Sequence, residues 1–355
     1  MTAVVVVTPR LDVNLAPQTL RNELDFLRTV SETTHLSDPD VISDAVRRYE
    51  RCWLPLVAEA DCSESLSPPV DVHWIWHCHM LSPYHYERDC LRLVGKIISH
   101  SVRPVAQLAE QRRATADVWK QKYDQEPFDV TDVRPSAQSY YERQSTYDLA
   151  AAAGRQSKFF YNVSLPHFRD DRFLQQALVR YRKFLVLKQQ HRDAVLVPSY
   201  DIDLVWHTHQ LHPLLYKQDT STLLGRMFNH DDTLDDRSPG SPQQEACVKT
   251  RQLWRSKYGE HFALPGAMYR GEQPHGRLTD VVALAQPGLA HDMKVQFRLS
   301  AGSFESCVIP EHLWEPIPLP RLPEGTNNTC ISASHKLVFT CSCIFAGNSG
   351  IDYVD

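Results

Sequence analysis

Histidine and tryptophan occur together at two places in the chain, and imidazole is the side chain that most often binds metals or moves protons near neutral pH. Residues 200–216 read Tyr-Asp-Ile-Asp-Leu-Val-Trp-His-Thr-His-Gln-Leu-His-Pro-Leu-Leu-Tyr, and residues 70–86 repeat that pattern at a constant offset of 130 positions. Because both residue types are rare, the shared Trp-His-x-His-x-Leu-x-Pro-x-x-Tyr pattern indicates an internal duplication. The paired motif residues are Trp76 with Trp206, His77 with His207, His79 with His209, and Tyr86 with Tyr216.

Each stretch is predicted to form a helix that ends before a proline. Asp71 and Asp201 lie near the two starts, where an acidic side chain can accept hydrogen bonds from free backbone amides. Pro83 and Pro213 mark the two ends, since a proline disfavours the helical conformation of the residue before it. A second helix is expected to begin at each of these prolines.

Helical geometry decides which of these side chains can act together. Residues four apart share one face of a helix, and residues two apart do not. The spacing therefore places His207 over Asp203 and His77 over His73. The second histidine of each motif points to roughly the opposite side, so the His-x-His pair offers one imidazole to each face.

The two shared faces could meet and form a metal-binding or hydrolytic site. Asp203 and His207 supply a carboxylate and an imidazole, while His73 and His77 supply two imidazoles. Brought together by pseudo-twofold packing of the repeats, these groups would suit divalent zinc, iron or manganese. One asymmetric site is favoured over two identical sites, because the aspartate of the second copy is a histidine in the first. The alternative is that each histidine donates to a nearby carbonyl or carboxylate and ties its helix to the core.

The other residues of the repeated motif are candidates for a binding surface or for the core. Trp76 and Trp206 are interpreted as core residues, because large aromatic side chains dominate protein interiors. The remaining members of this set are His79, His209, Tyr86 and Tyr216.

One acidic loop is interpreted as an insertion in the second copy. Residues 230–236 contain a histidine and four aspartates, and carboxylate oxygens can bind a divalent cation. The loop lacks the spaced ligands of a calcium-binding loop. We therefore interpret it as a solvated loop followed by a helix cap.

Apolar residues at helical spacing continue on both sides of the repeated motif. They predict further helices over 17–30, 40–57 and 105–123. The duplication extends with them, because the Trp-Lys-Gln-Lys-Tyr segment that ends the last of these helices recurs as Trp-Arg-Ser-Lys-Tyr at 254–258.

We expect a mainly α-helical fold of two homologous units in tandem, followed by a small β-rich region. The predicted boundaries are an N-terminal segment at 1–17, helical unit one at 18–130, helical unit two at 131–273 and a β-rich C-terminal region at 274–355. Unit two is expected to include a linker helix over 137–154, because its run of alanines has high helix propensity.

The character of the sequence changes in the C-terminal region. Residues 280–300 and 329–346 contain stretches in which apolar and polar residues alternate, which is typical of strands. Between them, the proline-rich segment at 316–323 is expected to form a rigid connector. The chain stops at 351–355 without an obvious closing strand, so we expect this β-region to be incomplete.

Composition limits the classes of function. The formal net charge is −5, which gives no basic surface for nucleic acid or anionic membranes. No apolar run is long enough to span a bilayer, and no secretory leader is recognisable. The nine cysteines lack paired metal-binding spacing, so we expect reduced thiols in a cytoplasmic protein.

The chain resembles the glycine-rich domain-containing protein family over residues 66–90, 157–219 and 228–273. The resemblance rests on the segments Pro69-Val-Asp-Val-His-Trp-Ile-Trp-His-Cys-His-Met-Leu-Ser-Pro, Asp201-Ile-Asp-Leu-Val-Trp-His-Thr-His-Gln-Leu-His-Pro and Pro265-Gly-Ala-Met-Tyr-Arg-Gly-Glu. With only 13 glycines, the chain lacks the glycine-rich tail of plant members. The resemblance implies a C2-like β-domain after the helical units and a role in stress or developmental signalling.

Two hypotheses for function follow. The chain has no nucleophile elbow, phosphate loop, dinucleotide fingerprint or zincin motif, which favours a regulatory or scaffolding protein whose paired helical units bind a protein partner. The alternative is the metal-binding, hydrolytic site, and a divalent transition metal is then the only cofactor expected. Whether the chain is an enzyme depends on which hypothesis holds.

Overall fold

The computed structural model describes residues 10–60, 63–130, 141–233, 236–271, 294–300 and 338–344. Residues Met1–Ala267 form one compact unit and Met268–Asp355 form another. Both copies of the repeated motif lie in the first compact unit. The described part of that unit is mainly α-helical, which confirms the predicted fold class there.

The helices follow the predicted order. Repeat one contains α1 (Pro17–Glu32), α2 (Pro39–Arg48), α3 (Leu54–Glu59), α4 (Val70–Met80), α5 (Pro83–Val94) and α6 (Val105–Lys122). Repeat two contains α7 (Leu149–Val163), α8 (Asp171–Gln190), α9 (Tyr200–Gln210), α10 (Pro213–Leu224) and α11 (Pro242–Tyr258). Helices α5 and α10 begin at the predicted prolines and end at Gly95 and Gly225, which both have a φ of 75°. Glycine adopts this left-handed conformation at a helix end without the steric cost of a Cβ atom.

The repeated motif forms the two central helices, α4 and α9. All residues from Asp71 to Met80 are buried in α4, and α9 is buried from Asp201 to Gln210 except at Asp203. A helix that is buried all round lies in the middle of a domain. Helix α2 packs against α4, and α8 packs against α9.

The same tryptophan and tyrosine pair recurs in both repeats. Nε1 of Trp76 donates to the hydroxyl of Tyr86 at 2.9 Å, and Nε1 of Trp206 donates to the hydroxyl of Tyr216 at 2.8 Å. Each tyrosine then donates to a backbone carbonyl 12 positions later in the chain. The core of each repeat is therefore built on one shared hydrogen-bonding plan.

The aspartates at the starts of α4 and α9 bind arginines instead of capping the helices. Neither helix has a side-chain cap. Arg48 donates to Asp71, and Nε of Arg180 donates to Asp201 at 2.6 Å. These bonds join two ionised groups, whereas the predicted caps would have joined each carboxylate to neutral backbone amides.

A π-helical turn at Tyr49–Trp53 joins α2 to α3, whereas α8 is a continuous α-helix. Tyr49 contacts His79 as Tyr181 contacts His209 in repeat two. Trp53 packs against Trp76 as Phe184 packs against Trp206. Trp53 follows Tyr49 by four positions, and Phe184 follows Tyr181 by three. The π-helical turn therefore accommodates one extra residue in repeat one.

The first helix of each repeat packs partly on the other repeat. Helix α1 contacts α8 and α9, and α7 contacts α2 and α4. Asp219 accepts hydrogen bonds from the backbone amides of Asp12 at 2.7 Å and Val13 at 3.2 Å, before α1. Asp89 accepts one from the amide of Thr146 at 2.7 Å, before α7. The two repeats are therefore interlocked.

Contacts between the repeats come in reciprocal pairs. His100 and His230 lie 130 positions apart. Nδ1 of His100 lies 2.6 Å from the carbonyl oxygen of Leu211 at the end of α9, and Nδ1 of His230 lies 2.8 Å from that of Leu81 at the end of α4. Glu87 and Lys217, also 130 positions apart, form a salt bridge of 2.7 Å. Reciprocal contacts are typical of surfaces related by a twofold axis.

The helix after repeat one begins later than predicted. Helix α7 begins at Leu149, and residues 141–148 are not helical, while 131–140 lie outside the described residues. The carboxylate of Glu50 accepts hydrogen bonds from two backbone amides of this segment, both at 2.8 Å. An amide used in this way cannot also donate to a helix, and the helix propensity of the alanines acts only after this point.

Strands β1 (Lys294–Ser300) and β2 (Val338–Ile344) form an antiparallel pair in the second compact unit. Both lie within segments that were predicted to contain strands from their alternation. The proline-rich segment at 316–323 and the chain end at 351–355 lie outside the described residues, so the C2-like assignment stays a prediction.

Of the helices in the described ranges, none is both long and apolar enough to cross a membrane. The cysteines with free thiols there are Cys52, Cys78, Cys90 and Cys247. Burial raises the pKa of the Cys90 thiol to about 12, which suppresses its reactive thiolate form.

Candidate metal centre

Helix α9 presents Asp203 and His207 on one face, as their spacing predicts. Nε2 of His207 lies 3.4 Å from Oδ1 of Asp203. The imidazole is buried and packs against Phe159 of α7, with ring centroids 4.4 Å apart. Oδ1 of Asp203 is buried too, and no donor within the described ranges makes a hydrogen bond to it. A proton or a cation at this oxygen would offset the cost of its burial.

A third donor, His230, reaches the same point from the loop after α10. Its Nε2 lies 3.3 Å from Nε2 of His207, and its Nδ1 lies 2.8 Å from the carbonyl oxygen of Leu81 in repeat one. A carbonyl can only accept, so Nδ1 of the neutral ring carries the proton and Nε2 presents a lone pair. Metal-binding histidines are commonly oriented by a backbone carbonyl in this way.

The spacing of the three donors fits a transition metal. The ligand atoms of Asp203, His207 and His230 all lie within 4.8 Å of one another. In a tetrahedral zinc site, metal–nitrogen bonds of about 2.0–2.1 Å separate two ligand atoms by about 3.3 Å. The two separations that involve His207, 3.3 and 3.4 Å, match this geometry, and the donor atoms of Asp203 and His230 lie within 4.8 Å of each other. Two imidazoles and one carboxylate suit zinc, iron(II) or manganese(II).

Burial controls the protonation of these donors. It raises the pKa of Asp203 to about 6, although the nearby His230 and Arg237 oppose the shift. Burial, together with His230 and His77, holds the pKa of His207 well below its usual range. The imidazole of His207 is therefore neutral, which is the form that binds metals. A bound dication would also favour the ionised carboxylate.

The loop that carries His230 is held in place by both repeats. Asp232 accepts a hydrogen bond of 2.5 Å from the hydroxyl of Tyr147. The hydroxyl of Tyr84, in repeat one, donates to the carbonyl oxygen of Met227 at 2.7 Å. His230 and Asp232 are therefore partly buried, while Asp231 and Thr233 are exposed, as expected for the solvated loop that the sequence predicts.

His73 and His77, the predicted ligands from repeat one, do not join this cluster. Nε2 of His77 lies 2.8 Å from Oε1 of Glu23 on α1, and both side chains are buried. The ring of His73 packs against Phe26 and His100, at centroid distances of 4.4 and 5.7 Å. The structure thus brings Asp203 and His207 together, as predicted, while His73 and His77 stay apart from them in repeat one.

The second histidine of each motif joins a tyrosine to an aspartate in the core. In repeat two, His209 lies 2.9 Å from the hydroxyl of Tyr181 through Nδ1 and 3.1 Å from Asp219 through Nε2. His79 has the corresponding contacts in repeat one. These partners lie on elements different from those around His207, as expected for opposite helix faces. The other motif residues are also buried, namely Trp76, Trp206, Tyr86 and Tyr216.

Sequence reasoning missed His230 and its counterpart His100. Both lie at the offset of 130 positions that defines the duplication, so the signal was present. Interpreting the acidic loop as an insertion in the second copy hides this pairing. No local pattern links Glu23 to His77, which follows it by 54 positions.

The profile of the family described as "Glycine-rich domain-containing protein-like" matches residues 10–89 and 85–219. The chain is 36% identical over 327 residues to Glycine-rich domain-containing protein 1 of Arabidopsis thaliana, covering 86% of this chain and 39% of that protein. It is 38% identical over 267 residues to Glycine-rich domain-containing protein 2 of the same plant, covering 72% of this chain and 34% of that protein. The chain thus spans less than two fifths of the length of these relatives. No solved structure matches the chain.

Proposed function

The chain belongs to the glycine-rich domain-containing protein-like family, and we propose that it binds a divalent transition metal through Asp203, His207 and His230. The observation that supports this proposal is the approach of Asp203 and His230 to Nε2 of His207, at 3.4 and 3.3 Å. One cation between them would satisfy both the carboxylate oxygen that lacks a donor and the lone pair of His230.

Three protein ligands leave at least one coordination position for water or a substrate. A metal with such a position can lower the pKa of bound water toward neutrality and polarise a carbonyl or phosphoryl oxygen. The side chain of Asp203 is 19% exposed, compared with 3% for His207, so the open side of the centre lies near Asp203. These features favour hydrolysis as the chemistry of the site.

Elemental analysis of protein purified without chelators tests the proposal. We expect zinc, iron or manganese in the wild type, and calorimetric titration of the metal-free protein should show that His230→Ala weakens binding at this site by about 100-fold or more. The control is His261→Ala, which removes an exposed histidine outside the cluster and should bind like the wild type. A wild type that takes up no metal, or a His230→Ala variant that binds as tightly, would contradict the proposal.

A regulatory or scaffolding role is the second candidate. Helix α10 exposes the adjacent side chains of Leu214 and Leu215 by 45% and 36%, and exposed apolar patches are typical of contact surfaces. This role would suit a protein partner in stress or developmental signalling, as the family resemblance implies. A combined Leu214→Glu and Leu215→Glu variant should lose a partner recovered by affinity purification, while His230→Ala keeps it. The reverse pattern would favour the metal centre.

A further inference from the structure

Repeat one carries a metal-binding residue type at every position of the repeat-two cluster. At the offset of 130 positions, Asp203 corresponds to His73, His207 to His77 and His230 to His100. We propose that these three histidines form a second and separate metal site in repeat one, with Glu23 as a fourth ligand. Three imidazoles and one carboxylate form a donor set for zinc or cobalt.

Glu23 has the place in repeat one that Gln156 has in repeat two. Each precedes by three positions a phenylalanine, Phe26 or Phe159, that packs against the first motif histidine. Glu23 is 2% exposed, and its Oε1 lies 2.8 Å from Nε2 of His77. A carboxylate buried this deeply needs a compensating positive charge. A divalent cation shared with the imidazoles would supply it.

His100 is oriented like His230. Its Nδ1 lies 2.6 Å from the carbonyl oxygen of Leu211 in repeat two, so the proton of the neutral ring is on Nδ1 and Nε2 presents a lone pair.

A ring nitrogen of repeat one lacks a partner. Nδ1 of His73 is buried, and no hydrogen-bond partner for it lies in the ranges that the structure describes. Buried polar atoms are normally satisfied. A cleft of about 20 Å³ is lined by His73, His100 and Gln111, which is enough space for one water-sized ligand. The cleft gives an ion access to these rings.

The donors of repeat one are more widely spread than those of repeat two. Among the described residues, Asp203, His207 and His230 are the one group of three such donors whose ligand atoms lie within 4.8 Å of one another, and the rings of His73 and His100 are 5.7 Å apart. Binding therefore requires side-chain rotation in repeat one, and we expect its affinity to be lower. The inference rests on the equivalence of the repeats and does not require that the repeat-two site be occupied.

Titration of the metal-free protein with zinc tests the second site. We expect two sites in the wild type, one site in His100→Ala, one in His230→Ala and none in the double variant. If His100→Ala takes up as much zinc as the wild type while His230→Ala takes up less, the second site is overturned and the proposed function stands. Zinc binding that neither substitution changes overturns both.

Substitutions that copy repeat two test the ligands while keeping the fold. Glu23→Gln and His73→Asp introduce residues that repeat two already has at the equivalent positions. We expect Glu23→Gln to weaken zinc binding in repeat one by about 10- to 100-fold. In a His230→Ala background, combining both changes should move the cobalt(II) absorption spectrum toward that of the site in the His100→Ala variant. A cobalt spectrum unchanged by both substitutions, in protein with wild-type circular dichroism, overturns the assignment of these ligands.

Discussion

At the scale of single residues, the repeated motif gives its two histidines different tasks. Residues two positions apart on a helix are separated by about 200° around its axis, so they must face different neighbours. His207 faces Asp203 and His230, whereas His209 contacts Tyr181 and the aspartate that holds the N-terminal segment. One histidine is thus available for a ligand, and the other stabilises the core.

Replacing Trp206 tests the core role of the motif tryptophan. The side chain is 4% exposed and donates to Tyr216 at 2.8 Å, so we expect Trp206→Ala to lower the free energy of unfolding by about 3–5 kcal/mol. Chemical denaturation followed by circular dichroism measures this change. As a control, Tyr216→Phe keeps the ring and should cost about 1–3 kcal/mol. A loss below about 1 kcal/mol for Trp206→Ala would contradict a core role.

The carboxylate of Asp89 should make stability depend on acid pH. Burial raises the pKa of Asp89, but the imidazole of His79 at 3.4 Å and hydrogen bonds from Thr146 outweigh this effect and hold the pKa at about 2, below the ordinary value of 3.8. A lowered carboxyl pKa contributes stability above the ordinary value that is lost as the pH falls toward the folded value.

We therefore expect Asp89→Asn to cost about 2 kcal/mol near neutral pH. The difference from the wild type should narrow as the pH falls below about 4, because the unfolded wild-type chain then takes up a proton on this carboxylate, whereas the folded state does so only near pH 2. Denaturant titrations at a series of pH values measure both proteins. A difference that stays constant between about pH 3 and 7 would contradict this account of Asp89.

The sequence could predict some neighbours of the candidate site and not others. Asp203 and His207 belong to one helix, so their contact follows from helical geometry alone. His230 and Glu23 reach their partners from other elements, and only tertiary packing brings them there. For His230 the duplication offset was a usable guide. For Glu23 no sequence signal was available.

At the scale of elements, the π-helical turn is the main difference between the repeats. It keeps both Tyr49 and Trp53 facing the core although repeat one has an extra residue between them. A one-residue insertion in a regular α-helix would instead rotate every later side chain by about 100°.

Deleting one residue from this turn should be tolerated. Arg51 is exposed in the turn and its guanidinium lies 4.9 Å from the ring centroid of Tyr141, so we expect its deletion to cost about 1 kcal/mol. Deleting Arg182 from α8 should cost about 4 kcal/mol or more, because Phe184 and the residues after it leave the core. Thermal denaturation compares the two deletions. Equal losses would show that the turn does not accommodate an insertion.

Gly266 is predicted to resist substitution because its backbone meets a buried histidine. Its φ is 81°, and an added Cβ would lie 2.6 Å from Nε2 of His167. We expect Gly266→Ala to lower stability by about 2–4 kcal/mol. The control Gly259→Ala has a φ of 67° and open space around it, so it should cost about 1–2 kcal/mol from backbone strain alone. Similar melting temperatures for the two variants would contradict a steric role for His167.

Apolar periodicity predicted most helices well. Prolines marked several of their boundaries, such as the starts of α5 at Pro83 and α10 at Pro213. Helix propensity failed as a guide before α7, where Glu50 accepts hydrogen bonds from backbone amides of the preceding segment. Propensity describes a segment by itself, and it cannot include a carboxylate supplied by a distant helix.

At the scale of the whole molecule, interlocking makes the two repeats depend on each other. Since α1 packs on repeat two and α7 packs on repeat one, neither repeat alone covers its own core. In separated repeats, Asp89 would also lose the hydrogen bond from the backbone amide of Thr146 before α7. Asp219 would lose the one from the backbone amide of Asp12 before α1.

We therefore expect fragments 10–130 and 131–271 to be largely unfolded when made separately and to regain helical structure when mixed. Far-UV circular dichroism of each fragment and of the mixture measures this, with the fragment 10–271 as the control. The physical reason is that each fragment leaves apolar helix faces exposed. A monomeric, cooperatively melting 10–130 fragment would contradict the interlocked arrangement.

The salt bridge between Glu87 and Lys217 has a consequence for how such a chain evolves. The two positions are equivalent in the repeats and contact each other. In an ancestral symmetric dimer of single repeats, that position would have met its own copy, and two like charges there would repel. After gene duplication and fusion the copies could change separately, and opposite charges now favour their pairing. A chain rebuilt from two copies of repeat one would set carboxylate against carboxylate at this position, which would weaken the pairing of the repeats.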